Sequence, residues 1–470
     1  VSAFNMGAME NKGLNIFNDK LLLASPETAT DDDYARIEGV VAHEYFHNWT
    51  GDRVTCRDWF QLSLKEGLTV FRDQSFSGDM RSRGVQRIAD VRALRARQFR
   101  EDAGPLAHPV QPASYIEINN FYTATIYEKG SEIIGMLKTL VGDEGYRKAT
   151  DLYFQRHDGQ ATTIESWVKC FEDACGRDLT QFRLWYHQAG TPHVRASGHH
   201  DADARTYTLE LSQSLAPTPG QPDKQAMHIP VRMGLVGKGG HALPLTLEGE
   251  NRSGPEERVL ELTQARQRFV FTDIAEPPLL SLGRRFSAPA VFEAPLDRAG
   301  RARLMRSDAD AFNRWESGQI LATEILLETA GAPHGGAGKP GGCDPRYLDA
   351  IGDVLARAGE DPAFAAQMLM APTENELAAH AATPVDPPAL HGARTALIRD
   401  IAAAHGKKLA ELYEHMRAEG DYSPDAASAG MRALRNACLQ YLTAANDEAA
   451  AGLADAHYRT ATNMTDMIAG

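Results

Sequence analysis

Residues 43–47 read His43-Glu44-Tyr45-Phe46-His47, and this stretch decides the fold of the first part of the chain. On an α-helix, two histidines four residues apart project from one face and can bind a single zinc ion. Glu44 lies beside that face and can reach a water molecule on the metal. The alternative is a surface helix with two solvated histidines, because so short a pattern can arise by chance.

A second stretch, Leu64-Lys65-Glu66-Gly67-Leu68, supplies a third candidate ligand. Glu66 follows His47 after eighteen intervening residues. A catalytic zinc site needs three protein ligands and an open fourth position for water. A carboxylate from a second, antiparallel helix completes that set, so we predict one zinc ion per chain, bound by His43, His47 and Glu66. The alternative for Glu66 alone is a solvated carboxylate.

Hydrophobic periodicity and capping residues predict the helices around this motif. The first helix is expected over residues 34–50, with Asp31-Asp32-Asp33 as N-cap candidates and Gly51 as its stop. Asp73, on the second helix, is a candidate to orient one zinc histidine, although a surface ion pair explains it equally well. The other helices are expected over residues 62–79, 83–100, 125–140, 143–156 and 164–175.

The pattern changes near residue 191, where apolar and polar residues begin to alternate. Alternation with period two between Gly, Pro and Asn turns predicts short strands in a sandwich. Helical periodicity returns after about residue 292. We therefore predict a multidomain α+β protein with a mainly helical catalytic domain over 1–190. A small β-sandwich over 191–292 and an all-α domain of stacked helix pairs over 293–470 follow it.

Composition narrows the class of protein. Of the 470 residues, 43% are hydrophobic and 24% charged, and the formal net charge is −14. This acidic balance argues against nucleic-acid binding, and no apolar run reaches the length of a membrane span. Five dispersed cysteines are typical of reduced thiols, so we expect a cytoplasmic protein. Cys56 is expected to be a buried structural thiol, and the pair His199-His200 to lie in a solvated loop.

Two further motifs stand in order around the histidine helix: Gly7-Ala8-Met9-Glu10-Asn11 and the run from Phe121 to Gly130, which reads FYTATIYEKG. With the HEYFH stretch and Glu66, they closely resemble the aminopeptidase N family of gluzincin metallopeptidases. The resemblance implies a thermolysin-like catalytic domain that cleaves the first residue from peptides with a free α-amine. It also implies that the chain, which begins with Val1, lacks upstream domains and is shortened at its C-terminus.

The resemblance assigns roles to individual residues. Glu44 is the general base and Tyr127 the hydrogen-bond donor to the developing oxyanion, although Tyr127 alone could equally be a core aromatic. Glu10 holds the free amine of the substrate. The substrate-binding residues that the resemblance adds are Gly7, Ala8, Asn11, Met6, Met9 and Tyr122. Core packing is the alternative for both methionines and is favoured for Met9.

Three functions therefore stay open at this point. The favoured one is a zinc aminopeptidase of broad specificity, acting as a monomer on peptide substrates. The second is a related gluzincin hydrolase, either an endopeptidase or an epoxide hydrolase. The third is an inactive peptide-binding scaffold, which the presence of both Glu44 and Tyr127 disfavours.

Overall fold

The computed structural model describes residues 1–251, 253–331, 342–418, 420–445 and 448–470. These residues form two compact units that do not follow chain order. The first consists of Val1–Asn18, Gly39–Phe76 and Arg87–Leu296. The second consists of Asp19–Glu38, Ser77–Gln86 and Asp297–Gly470. Across the described residues, no helix is both long enough and apolar enough to cross a membrane.

The first 190 residues are mainly helical. Two short strands, β1 (Ala8–Met9) and β2 (Ile16–Phe17), pair antiparallel at the start. The elements that follow are α1 (Asp31–His47), β3 (Thr55–Cys56), α2 (Leu62–Met80), α3 (Arg83–Asp102), a π-helix (Thr125–Lys129), α4 (Gly130–His157), β4 (Ala161–Thr162), α5 (Ile164–Cys175) and α6 (Leu184–His187).

Helix α1 begins and ends three residues earlier than predicted. Its cap is Thr30: the Thr30 hydroxyl accepts from the Asp33 N–H at 3.2 Å, and the Asp33 carboxylate accepts from the Thr30 N–H at 2.9 Å. Asp31 and Asp33 therefore belong to the first turn, where their charge favours the positive end of the helix dipole.

Helix α4 departs from the sequence prediction in two ways. The helices predicted over 125–140 and 143–156 form one element with a kink at Gly142, whose φ of 72° a residue with a side chain rarely adopts. The first predicted turn, Thr125–Lys129, is a π-helix instead of an α-helix. Such wide turns are often found at functional sites.

Helices α2 and α4 approach each other backbone to backbone. A Cβ atom added to Gly67 would lie 2.7 Å from the carbonyl carbon of Gly130, so only glycine fits at this crossing. Since Gly67 follows Glu66 and Gly130 follows the π-helix, the close approach brings a predicted metal ligand next to the segment that carries Tyr127. On the far side of α4, Tyr153 packs edge to face on Trp167 of α5, with 4.9 Å between ring centroids.

Residues 193–293 form two mainly antiparallel sheets. The strands are β5 (His193–Asp201), β6 (Thr206–Ser214), β7 (Ile229–Val236), β8 (Ala242–Leu243), β9 (Thr246–Leu247), β10 (Arg258–Leu262), β11 (Arg266–Thr272), β12 (Leu279–Leu282) and β13 (Val291–Glu293). One sheet has the order β10-β7-β12 with β8 paired to β7, and the other has the order β13-β5-β6-β11-β9. Only the β13–β5 pair of these sheets is parallel among the described residues.

Alternating apolar residues explain most of these strands. Leu209 and Leu211 of β6 are fully buried and share one face, as the period of two predicts. One expectation was wrong. His199 and His200 lie within β5, opposite Thr208 and Tyr207 of β6, and not in a loop.

From residue 298 onward, all regular structure among the described residues is helical. The helices are α7 (Arg298–Ser307), α8 (Ala311–Gly331), α9 (Pro345–Ala356), α10 (Pro362–Leu369), α11 (Glu374–Ala378), α12 (Pro387–His415), α13 (Ala426–Leu442), α14 (Glu448–Thr460) and α15 (Met464–Ala469). Helices α9, α10 and α12 all start with an Asp N-cap followed by proline, the residue that best suits the first helical position. The predicted fold class, with a mainly helical part, a β-sandwich and an all-helical part in that order, is confirmed.

Candidate active site

The three predicted metal ligands meet between α1 and α2. The Nε2 atoms of His43 and His47 are 3.0 Å apart, and the Oε2 atom of Glu66 lies 3.4 and 3.3 Å from them. Zinc–ligand distances of about 2.0–2.1 Å and tetrahedral angles give ligand-to-ligand separations of about 3.3 Å. The triangle therefore has the size and the donor chemistry that zinc requires.

The remaining nitrogen of each imidazole is held by an acceptor. His43 Nδ1 lies 2.6 Å from Oδ2 of Asp73, and His47 Nδ1 lies 2.9 Å from the backbone carbonyl oxygen of Thr50. A carbonyl oxygen only accepts, so His47 donates through Nδ1 and keeps the lone pair of Nε2 free for a metal. Asp73 stands where the sequence suggested it could orient a zinc histidine.

The pKa values of His43 and Glu66 are set by each other and by the charged groups around them. Burial lowers the pKa of His43, but hydrogen bonds to Asp73 and Glu66 outweigh this effect and raise the pKa to about 10. Burial likewise opposes ionisation of Glu66, yet Lys65 and the two histidines hold its pKa well below the usual value. Glu66 is thus a carboxylate, the form that binds a metal.

Glu44 lies beside the triangle with an unused oxygen. Its side chain is buried, and its Oε2 atom has no hydrogen-bond partner among the residues that the structure describes. Ligand atoms of Glu44, Glu10 and His47 all lie within 4.8 Å of one another. Burial raises the pKa of Glu44 to about 7, the range in which a carboxyl group can both take and return a proton at neutral pH.

Glu10 brings a third carboxylate to the same space. It follows strand β1 and is only 8% exposed. The ammonium group of Lys65 contacts Oε1 of Glu10 and donates to Oε1 of Glu66 at 2.6 Å. The two oxygens of Glu66 therefore have different partners: Oε2 faces the imidazoles and Oε1 faces Lys65. This bridge links the metal ligand directly to Glu10.

The strand before Glu10 is open to solvent. Met6 and Met9 are 45% and 41% exposed, so the core-packing expectation for Met9 was wrong in this structure. Gly7 and Asn11 are exposed as well, and Ala8 is half-buried. Strand β1 pairs only with β2 among the described strands, which leaves its other edge free to add an extended chain.

Tyr127 faces the triangle from the π-helix. Burial raises its pKa, as does the nearby carboxylate of Glu66. Tyr122 lies next to it, with 6.3 Å between the ring centroids. The pKa of Tyr122 is raised by burial and is also influenced by Lys65, Glu66 and Glu10, so this ring lies close to the same group of charges.

Family models match the chain in three consecutive segments. Residues 1–186 match the Peptidase family M1 domain, and residues 190–295 and 298–470 match two domains of unknown function, one with an Ig-like fold and one with ARM repeats. The first 186 residues are thus similar to peptidase family M1 domains. The chain is 54% identical over 473 residues to the aminopeptidase N of Caulobacter vibrioides and 46% identical over 470 residues to that of Escherichia coli.

Both alignments cover 100% of the chain, but only 52% and 53% of the two relatives. The chain thus spans about half the length of the curated relatives it matches. Among solved structures, aminopeptidase A of Legionella pneumophila in complex with aspartic acid matches with a TM-score of 0.84 and 27% identity. That match covers 100% of this chain and 52% of the other.

Lys65 is the residue of this site that sequence reasoning missed. It stands inside the quoted stretch Leu64-Lys65-Glu66-Gly67-Leu68, but a lysine beside a predicted ligand carries no signal of its own. Cys56 is half-buried and not fully buried as expected, but it is an inert thiol, because burial raises its pKa to about 12 and its sulfur donates to the carbonyl of Gln61.

Proposed function

We propose that this chain carries the catalytic centre of a zinc-dependent aminopeptidase of broad specificity. One observation carries the proposal: the buried carboxylates of Glu66, Glu44 and Glu10 all lie close to His47, and Glu66 also lies next to His43. Glu66 completes a zinc-sized triangle, one buried oxygen of Glu44 has no partner among the described residues, and Glu10 approaches from strand β1. A structural ion-pair network has no need of the unpaired oxygen on Glu44.

His43, His47 and Glu66 would hold the metal. When bound, zinc supplies a Lewis acid that polarises the scissile carbonyl and makes a water molecule more acidic. Glu44 takes the proton of the attacking water and returns it to the departing amine nitrogen. Tyr127 turns its phenol from Glu66 to the carbonyl oxygen of the substrate, where it donates to the negative charge that develops.

Glu10 makes the enzyme an exopeptidase. Its carboxylate pairs with the α-ammonium of the substrate and so fixes the first carbonyl beside the metal. The free edge of Gly7–Asn11 binds the substrate backbone, Met6 and Met9 adapt to the first side chain, and Tyr122 forms part of the pocket wall.

The remaining elements of the proposal concern the whole protein. The division into a catalytic part (1–190), a β-sandwich (191–292) and a helical part (293–470) is supported by the three matched family segments. Peptide substrates are supported by the names of the relatives. A cytoplasmic monomer is consistent with five free cysteines and an acidic composition.

The test compares an alanyl anilide with its N-acetylated twin after metal analysis of the purified protein. We expect about one zinc per chain and rapid cleavage of the free-amine substrate alone. Equal cleavage of both substrates would reject the aminopeptidase in favour of an endopeptidase. Zinc binding without any turnover would identify a peptide-binding scaffold.

A further inference from the structure

The π-helix that carries Tyr127 is held by the last turn and a half of α3. At its first residue, the backbone N–H and the hydroxyl of Thr125 both donate to Oε2 of Glu101, at 2.7 and 2.6 Å. The side-chain amide of Gln98 also donates to the Thr125 hydroxyl, at 3.3 Å. Thr125 and Gln98 are fully buried, so these polar contacts replace water and fix the start of the π-helix.

The end of the π-helix is held from the same side. The ammonium of Lys129 donates to Asp102 at 2.9 Å and to the carbonyl of Gly190 at 2.9 Å, inside a fully buried pocket. Between these points, Arg97 donates to Glu128 at 2.8 Å. One face of α3 therefore contacts three of the five π-helix residues. The α3 residues on this face are Arg97, Gln98, Glu101 and Asp102.

The two other residues of the π-helix point elsewhere. Ile126 is fully buried in a small apolar cluster with Leu62 and Phe121. The ring of Tyr127 packs against this cluster and beside Tyr122, and its phenol is near enough to Glu66 for that carboxylate to raise its pKa. Side chains of α3 therefore hold Thr125, Glu128 and Lys129, whereas Ile126 and the ring of Tyr127 pack against the apolar cluster.

We propose that Glu101 is a positioning residue for Tyr127, acting through its two hydrogen bonds to Thr125. This inference rests on the function proposed above, in which the phenol stabilises an oxyanion. An oxyanion donor works only within about 2.7–3.1 Å of its target, and a displacement of about 1 Å can cost about a hundredfold in rate. Among the described contacts, Glu101 bonds to Thr125 and to none of His43, His47 and Glu66, so its effect passes through the position of Tyr127.

The test combines Glu101→Ala with the conservative Glu101→Gln. Alanine leaves the N–H and the hydroxyl of Thr125 without their acceptor, and we expect kcat to fall about 10–100-fold while KM and zinc content stay nearly constant. Glutamine keeps an acceptor oxygen and is expected to restore most of the rate. Glu144→Ala is the matched control, because Glu144 is an exposed carboxylate on α4 that pairs only with Lys148 among the described contacts.

A double-variant cycle separates positioning from a general loss of fold. In a Tyr127→Phe background there is no phenol to position, so Glu101→Ala should change kcat by less than about twofold. The same 10–100-fold loss in that background would overturn the proposal.

The position of the Tyr127 ring can also be followed without measuring hydrolysis, by ¹⁹F NMR of a protein with fluorotyrosine at position 127. Glu101→Ala should shift and broaden the resonance, whereas Glu101→Gln and Glu144→Ala should leave it unchanged. An unmoved resonance in Glu101→Ala would refute the positioning role even if the hydrolase activity is present. A moved resonance in a protein without hydrolase activity would support the positioning role and reject the proposed function instead.

Discussion

Replacing Glu10 with glutamine tests how the site selects a free amine. Glutamine keeps the size of the side chain and removes its negative charge. In the native structure Glu10 is buried and contacts Lys65, whose ammonium also donates to Glu66. In the variant, Lys65 keeps Glu66 but loses Glu10. The α-ammonium of a substrate would then face a lysine cation without the anion that offset it.

The expected loss follows from the charges. Two opposite unit charges about 4 Å apart attract by about 4 kcal/mol at an effective dielectric constant of about 20. Removing water from the incoming ammonium cancels part of this attraction, which leaves a net effect of about 2–3 kcal/mol. Since about 1.4 kcal/mol corresponds to a factor of ten, kcat/KM for a free-amine substrate should fall about 30–150-fold.

The assay measures kcat/KM for an alanyl anilide and for its N-acetylated form in the native protein and in Glu10→Gln. The acetylated substrate has no ammonium, so its slow cleavage should stay within about twofold. Glu144→Gln, which removes the same charge from an exposed position, is the control. An equal loss on both substrates would mean that Glu10 supports the fold or the metal, and no loss on either would mean that it does not hold the amine.

Three further outcomes are expected. Glu44→Ala should abolish hydrolysis while metal analysis still finds about one zinc per chain, since Glu44 is not one of the three ligands; substantial remaining activity would refute its role as base. Tyr127→Phe should lower kcat about 10²–10³-fold with a smaller change in KM, as steady-state kinetics would report; an unchanged kcat would assign Tyr127 to packing. Lys129→Met should leave Asp102 as a buried unpaired charge and reduce the free energy of unfolding by about 3–5 kcal/mol in urea titrations; a loss below about 1 kcal/mol would show that the pair is not desolvated.

The sequence predicted the metal triangle because the geometry of a helix is regular. Two histidines four residues apart must share a face, and a carboxylate on the next helix needs only an antiparallel partner to reach them. The ends of α1 were less predictable. Three successive aspartates all suit an N-cap, and the choice of Thr30 depends on one reciprocal pair of hydrogen bonds with Asp33 that composition does not reveal.

The sequence pattern could not predict the π-helix. Residues 125–129 carry ordinary helix-forming side chains, and hydrophobic periodicity cannot separate a π-turn from an α-turn over five residues. What widens the turn is tertiary: Glu101 holds Thr125 at one end and Asp102 holds Lys129 at the other. The same reasoning applies to Lys65, whose contacts join two carboxylates that are far apart in sequence.

The contacts of one lysine explain how a single site can give three carboxylates different roles. Lys65 neutralises Glu66 and Glu10 together, so both stay ionised in a buried space, one toward a metal and one toward an ammonium. Lys65 does not pair with Glu44 among the described contacts, and burial, which His43 and His47 offset only in part, raises the pKa of Glu44 to about 7. The differences in proton affinity that the proposed reaction requires thus follow from which carboxylates Lys65 contacts and which it does not.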